Sequence, residues 1–525
     1  METLNNIRNW QEFNSGNSVG IVLTSLSEQF VKESFNTFIL TPDNYKEEIE
    51  LFDIDTVFID NDLYEKDHEW HNVNRGHIVN YLKSENINLV VIKNTTLEVK
   101  TVFNNAFLMM FNPNITEYIY KNNILNVPLI IDTEFNNPVE LNKNIDILYF
   151  SIGKFIASTQ VKLFNKSLSP NIKVVSSNSF TQRIFKELST FLKVSKIIYI
   201  CESTKIDEIT LKFIEVIATL NNVNVVYDYT FKFKPLYGHN SYVDSDNVSY
   251  MQILFNNEDY RLKKVLSKQR LAFSNNSFVL IPKFYEFLIQ KIETKKTPKI
   301  SIITSTNRKN NLNFYFDQIN GQKDVELQIN LSIHGFKLTE EEEKYFKSIC
   351  EHELNIFYMD KSESLGACLN KCIDNSTFSV IAKMDDDDYY LDYYLFDQWL
   401  ALNYSKADAV GKSESYWFLE SEKLITKRRA GKLFQFDYFI FGATLMVKAE
   451  LLKKVRFEDI SKGEDTTLLR HITGVGGKIF VGHPFEMCAY RGEISENHTW
   501  QVSDLAILKS SQIVGYGNPE DYVRL

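Results

Sequence analysis

Four aspartates stand in an unbroken row, Asp385-Asp386-Asp387-Asp388, directly after the apolar run 379–384. Adjacent carboxylates repel one another, so such a row is costly unless water or a cation neutralises it. Most acidic runs are solvated faces. This one leaves an apolar strand, which aims hard oxygen donors into a cleft and suits Mg²⁺ or Mn²⁺ bridging a diphosphate. A second acidic pair, Glu464-Asp465, opens the helical stretch TTLLRHI. A carboxylate there is favoured by the positive helix end and serves as an N-cap. It can equally act as a general base that takes a proton from a hydroxyl.

Two further turns have chemistry to offer. The strand Ile300–Thr304 runs into Ser305, Thr306, Asn307 and Arg308, a polar turn able to hydrogen-bond a nucleobase and ribose, or simply to cap a helix. Ser364-Leu365-Gly366-Ala367-Cys368-Leu369-Asn370 is a small-residue turn that lets backbone approach a ligand, or another helix, closely.

The elements that must position these groups alternate along the chain. In the first 290 residues, the short apolar runs 19–23, 56–59, 89–92, 129–131, 147–150, 197–200, 223–227 and 278–281 read as buried strands. They are separated by stretches long enough for crossover helices, the pattern of parallel α/β sheets. The expected organisation is a Rossmann-like lobe over 1–145, a second over 146–290 (together a two-lobed, GT-B-like region), a charged linker over 291–299, and a third α/β domain over 300–525. Weaker signals precede the linker. His68-Glu-Trp-His71 lacks the spacing that puts two histidines on one helical face and reads as a surface loop. Asp132-Thr133-Glu134 follows a strand, where open sheets bind ligands and where loops also favour acids.

Composition narrows the classes. The chain has 525 residues, 44% hydrophobic and 24% charged, enough to bury several cores. A net charge of -10 disfavours nucleic acid as a partner, because phosphate binding needs Lys and Arg in excess. Five scattered cysteines fit a reducing compartment, and Cys368 and Cys372 read as buried small hydrophobes, not zinc ligands. METLNNIRNWQEF lacks the apolar core of a signal peptide, and no apolar run approaches the ~18 residues of a membrane span. The expected location is cytoplasmic, with room for a peripheral place at the inner membrane face. A homo-oligomer is compatible with the sequence.

Taken in order, ISIITSTNR, SLGACLN, MDDDDYY and GEDTTLLRHI make the segment from about 299 to 500 resemble the family-two glycosyltransferases. Residues 441–447 and 474–480 are similar to the strand before that family's base motif and the glycine turn after it. The resemblance implies a GT-A fold and an inverting transfer from a nucleotide-sugar to a hydroxyl. It implies Asp387 as metal ligand, Asp385 on the ribose or cation, and Asp386 and Asp388 within the same motif. Asp465 matches the base, with Glu464 orienting the acceptor, and Thr304, Thr306 and Arg308 fall where the nucleoside is held. Gly366 lies in the turn beside them. Late in the domain, Arg491 could clamp the diphosphate, and His498, more than His483, could complete the metal shell. Asn330–Gly335 replaces the family's acidic turn, which weakens the case for uracil and so for a UDP-sugar donor. Asp132-Thr133-Glu134 and the stretch 180–183, FTQR, resemble the amino-terminal region of spore-maturation-type bacterial glycosyltransferases.

The reading is therefore a Mn²⁺- or Mg²⁺-dependent glycosyltransferase of hexosyl or N-acetylhexosaminyl type. Its acceptor would be a glycan, lipid-linked or protein hydroxyl in bacterial surface polysaccharide or glycoconjugate synthesis. The competing readings are a sugar-phosphate nucleotidyltransferase, against which stands the lack of a glycine- and lysine-rich phosphate loop, and a glycan-binding scaffold without turnover.

Overall fold

The computed structural model describes residues 18–525 apart from 33, 61–66, 94–106, 113–117, 122–123, 132, 134, 141, 154–161, 163–164, 167, 202–205, 207, 229–234, 238–241, 244–247, 278, 282–295, 430–431 and 493–503. The chain divides into two compact units, one spanning 1–138 and 142–296, the other 139–141 and 297–525.

The first unit holds two sheets. One contains β1 (Ser18–Val22), β2 (Asn36–Ile39), β3 (Thr56–Asp60), β4 (Asn88–Lys93), β5 (Phe107–Phe111), β6 (Ile119–Lys121) and β7 (Ile124–Val127), in the order β2-β1-β3-β4-β5-β7-β6. Only β6 is antiparallel, paired with β7. The other contains β8 (Ile145–Ile152), β9 (Ile172–Ser177), β10 (Ser195–Ile200), β11 (Asn224–Asp228) and β12 (Tyr242–Val243), ordered β12-β11-β10-β8-β9 and parallel throughout. Parallel strands need both faces covered, and the helix Glu208–Leu220 shows the consequence: every residue from Thr210 onward is buried.

Two of the runs read as strands pair otherwise. Of 129–131, only Ile131 joins a partner, in an isolated bridge to Ser277, and the described residues 279–281 form a turn. Apolar runs of three or four residues bury equally well in turns between covered layers. The 68–71 segment is a loop, as expected, but one pinned down by its tryptophan. Trp70 is buried, its indole N–H donates to Leu40 O at 2.6 Å, and His68 Nε2 lies 3.0 Å from Leu23 O. Asp132 and Glu134 lie outside the described residues, and Thr181 of the FTQR stretch caps the helix Gln182–Val194.

The second unit carries the acidic motifs. Its strands are β13 (Lys299–Thr306), β14 (Glu326–His334), β15 (Glu353–Met359), β16 (Val380–Lys383), β17 (Tyr389–Tyr390), β18 (Ala409–Gly411), β19 (Glu414–Leu419), β20 (Leu424–Arg429), β21 (Met446–Lys448), β22 (Ile479–Val481), β23 (Met487–Arg491) and β24 (Ser511–Tyr516). A seven-stranded sheet runs β15-β14-β13-β16-β21-β18-β22, parallel as far as β16 and then taking in antiparallel β21. A five-stranded sheet runs β17-β23-β19-β20-β24. The organisation is α/β, as expected, with an open and mostly parallel sheet in the second unit. Its core joins Ile303 and Ile381 to Leu369, Cys372 and Ile373 of the helix Leu365–Asp374, and to Leu468, Leu469 and Ile472 of the helix Glu464–Gly474. Cys368 and Cys372 are fully buried in this layer.

Candidate active site

The aspartate row bridges the two sheets of the second unit. It leaves β16 and ends at β17, where Tyr389 pairs with Cys488 of β23. Between the two strands the row bends at Asp386, Asp387 and Asp388, and burial alternates along it. Asp386 and Asp388 are buried, whereas the side chains of Asp385 and Asp387 retain 34% and 15% exposure. Two carboxylates thus face out and two face in.

The inward pair is held by the protein. Asp386 Oδ2 accepts from Thr306 Oγ1 at 2.7 Å and from Arg308 Nε at 3.2 Å, and Oδ1 takes a shorter contact from Arg308 Nη2. Asp388 Oδ1 accepts from Tyr490 N at 2.8 Å. Burial raises the pKa of both, most strongly at Asp388, where Asp387 and Asp385 add repulsion.

The outward pair meets two cations. Arg308 Nη1 donates to Asp387 Oδ2 at 2.6 Å. Lys383 Nζ lies 2.9 Å from Asp385 Oδ1 and 3.5 Å from Asp465 Oδ2. One buried ammonium therefore joins the aspartate row to the pair at 464–465, eighty residues along the chain. Burial works against the Lys383 charge, but Asp385 and Asp465 outweigh it and hold its pKa above the ordinary lysine value.

Asp465 is the second residue of its helix. The N-cap is Gly463, left-handed at φ +82° and without a side-chain cap bond, so Asp465 is not spent on capping. Its Oδ1 is buried and has no hydrogen-bond partner among the described residues. An ionised oxygen left this way gains strongly from any donor that reaches it. Burial raises the pKa of Asp465 while Lys383 opposes the shift, and burial together with Asp465 raises that of Glu464. The turn at Gly442 fits tightly against this carboxylate, since a Cβ there would lie 1.7 Å from Asp465 Oδ2. Tyr390 ties the two regions together. Its hydroxyl accepts from Asp385 N at 3.0 Å and donates to Ala443 O at 2.8 Å.

Other residues singled out in the sequence take internal roles. Thr304 is buried, donating to Met384 O at 2.7 Å and pairing with Tyr315 OH at 2.9 Å, so its hydroxyl holds the strand end and not a nucleoside. Thr306 and Arg308 hold Asp386, as described. Gly366 serves backbone packing: a Cβ there would lie 1.8 Å from Glu458 O, and its own N–H donates to Ile460 O. Arg491 is buried on β23, 3.9 Å from Asp504, with Asp387 among the charges acting on it. His483 pairs with the buried Asp397 at 3.2 Å. His498 lies outside the described residues. Lys383, Tyr390 and Gly442 carry the geometry and were not singled out. A signal existed for Lys383, a lysine inside an apolar strand and two residues before Asp385, hence on the same face.

The donor set accommodates a divalent cation only in part. Among the described residues, no group of three or more His, Cys, Asp or Glu is arranged around a common point. Asp385 and Asp387 supply outward carboxylate oxygens, the donors that Mg²⁺ and Mn²⁺ prefer. Two carboxylates suffice when substrate phosphates and water complete the shell. The residues thus fit a cation that arrives with a diphosphate, not one caged by the protein alone.

The chain matches no family model, and no curated protein is significantly similar to it in sequence. Among solved structures it is similar to TarS 1-349 of S. aureus, at 15% identity over 37% of this chain and 60% of that one, with a TM-score of 0.29. The same TarS fragment in complex with UDP-GlcNAc gives 13% identity over 43% and 63%, with a TM-score of 0.32. The mannosyltransferase PcManGT from Pyrobaculum calidifontis, in complex with GDP-Man and Mn²⁺, gives 15% identity over 37% and 57%, with a TM-score of 0.30. The chain thus spans less than two thirds of each of these solved chains.

Proposed function

We propose that residues 300–525 form a metal-dependent, inverting glycosyltransferase that moves a sugar from a nucleoside-diphosphate sugar onto a hydroxyl acceptor. The observation that carries this reading is the Lys383 ammonium lying between Asp385 and Asp465. It makes one site of a carboxylate pair suited to a metal–diphosphate complex and a carboxylate suited to deprotonating an acceptor.

In this mechanism the acceptor hydroxyl donates to the Asp465 carboxylate, whose side chain keeps 26% exposure, and yields its proton as it attacks the anomeric carbon. One displacement without a covalent intermediate inverts the configuration. Lys383 holds Asp465 through Oδ2, and the Gly442 turn fixes its rotamer. Arg308 and Arg491 set positive charge beside Asp387, where the departing diphosphate would lie. A divalent cation held at Asp387 and Asp385 with that diphosphate would supply electrostatic stabilisation of the leaving group.

The donor is proposed as a UDP-sugar, and the acceptor as a glycan, lipid-linked or protein hydroxyl of a bacterial surface polysaccharide or glycoconjugate. The test is an assay of UDP- and GDP-sugars, UDP-GlcNAc and GDP-Man first, with Mn²⁺ and with chelator. A nucleoside diphosphate should be released only with the cation, and Asp465→Asn should lower kcat by about 10³-fold while leaving nucleotide binding near wild type. Release of pyrophosphate would mean a nucleotidyltransferase instead, and full activity in Asp465→Asn would remove the proposed base.

A further inference from the structure

Arg308 grips its two carboxylates unequally. Toward Asp386 it presents both Nε, at 3.2 Å, and Nη2. Toward Asp387 it presents Nη1 alone, at 2.6 Å. Asp386 is buried and also takes the Thr306 hydroxyl, whose oxygen in turn accepts from the Arg308 backbone N–H at 3.0 Å. Asp387 is the more exposed of the two.

A guanidinium is a rigid planar fork with donors on separate edges. It can stay two-pronged on Asp386 while Nη1 changes partner. With Nη1 in place, one Asp387 oxygen is engaged and a positive charge stands against the carboxylate that would hold the cation. A diphosphate reverses both conditions, because it offers Nη1 a better acceptor and brings negative charge that the cation can share.

We propose that Arg308 is a counter-ion latch: it rests on Asp387 while nucleotide is absent and passes to the diphosphate when nucleotide enters. Cation binding at Asp387 is thereby coupled to nucleotide binding, and by linkage the coupling is reciprocal. This rests on the transferase reading of the site.

The experiment follows Mn²⁺ binding to the full chain by electron paramagnetic resonance of the free ion, alone and with UDP or GDP. Three proteins are compared: wild type, Arg308→Lys, and the double variant Arg308→Gln with Asp386→Asn. The double variant removes the guanidinium without stranding a buried carboxylate. The lysine variant keeps a cation for Asp386 but lacks the second prong that reaches Asp387, and it decides the matter alone if the double variant does not fold. Wild type should bind Mn²⁺ about tenfold more tightly with nucleotide than without. Both variants should bind Mn²⁺ alone about tenfold more tightly than wild type and lose most of the nucleotide enhancement. If wild type shows the enhancement but Mn²⁺ alone binds the variants no better, the latch is overturned and the transferase reading stands. If neither nucleotide enhances Mn²⁺ binding to wild type, the metal–nucleotide reading fails and the latch with it.

Discussion

Lys383 carries a charge where water does not reach, and that charge is stable only because two carboxylates share it. Replacing it with Met leaves Asp385 and Asp465 near each other and uncompensated. The cheapest relief is for one of them to take up a proton, and Asp465 is already pushed that way by burial. Lys383→Met should therefore lower kcat by about 10²-fold with a much smaller change in donor KM, and Lys383→Arg should recover part of the loss. Steady-state kinetics on folded protein check this; equal losses in kcat and in nucleotide affinity would place Lys383 in binding instead. At this scale the sequence was legible where carboxylates stood in two clusters, which the fold brings together at Lys383. It was less so for hydroxyls, because Thr304 and Thr306 look alike whether they face a ligand or a neighbouring carbonyl or carboxylate. Which of those occurs depends on residues eighty positions away, Met384 and Asp386.

Elements bring these residues together through close approaches that tolerate no extra atom. The turn at Gly442 abuts the Asp465 carboxylate, and the first turn of the helix Leu365–Asp374 abuts the carbonyl of Glu458. The two glycines should behave differently when changed to alanine. Gly442→Ala puts its methyl group against a side chain that can rotate away, so the fold should persist while kcat falls by about 10²-fold, since a misplacement near 1 Å costs that much. Gly366→Ala meets backbone, which cannot rotate away, and should destabilise the second unit by about 1–3 kcal/mol. Urea denaturation and kinetics on both variants separate the two effects. The small-residue pattern of SLGACLN announced a close approach but not its partner, because Glu458 is distant in sequence. The same limit explains the strands. Ile147–Phe150 and Ile197–Ile200 were legible as unbroken apolar runs and sit inside longer strands, whereas β2 and β9 are half-exposed, mixed in composition, and identified by their pairing.

At the scale of the molecule, two compact units predict two cooperative transitions on heating, each answering to its own chemistry. The second unit should answer to ligand: Mn²⁺ with UDP at a hundred times Kd would stabilise it by about 2.7 kcal/mol, raising only its transition. The first unit should answer to pH through Asp60. That carboxylate lies fully buried at the end of β3, beside β1, where the strand order of the first sheet reverses. It accepts from Thr24 N at 2.6 Å, Thr24 Oγ1 at 2.7 Å and Ser27 Oγ at 2.8 Å, yet burial still pushes its pKa up to about 7. An unfolded aspartate titrates near 3.9, so the folded unit keeps a proton that the unfolded chain releases. The stability contributed by that proton is complete below about pH 4 and is lost as pH rises toward 7, a change of at most about 4 kcal/mol. Asp60→Asn keeps the group neutral and can present the same shape to Thr24 and Ser27. Its first-unit transition should therefore lie above that of wild type at pH 8 and converge with it near pH 4, while the nucleotide-responsive transition stays put. Calorimetry across that range decides the point: a single transition moved by both nucleotide and Asp60→Asn would mean that the two units melt as one.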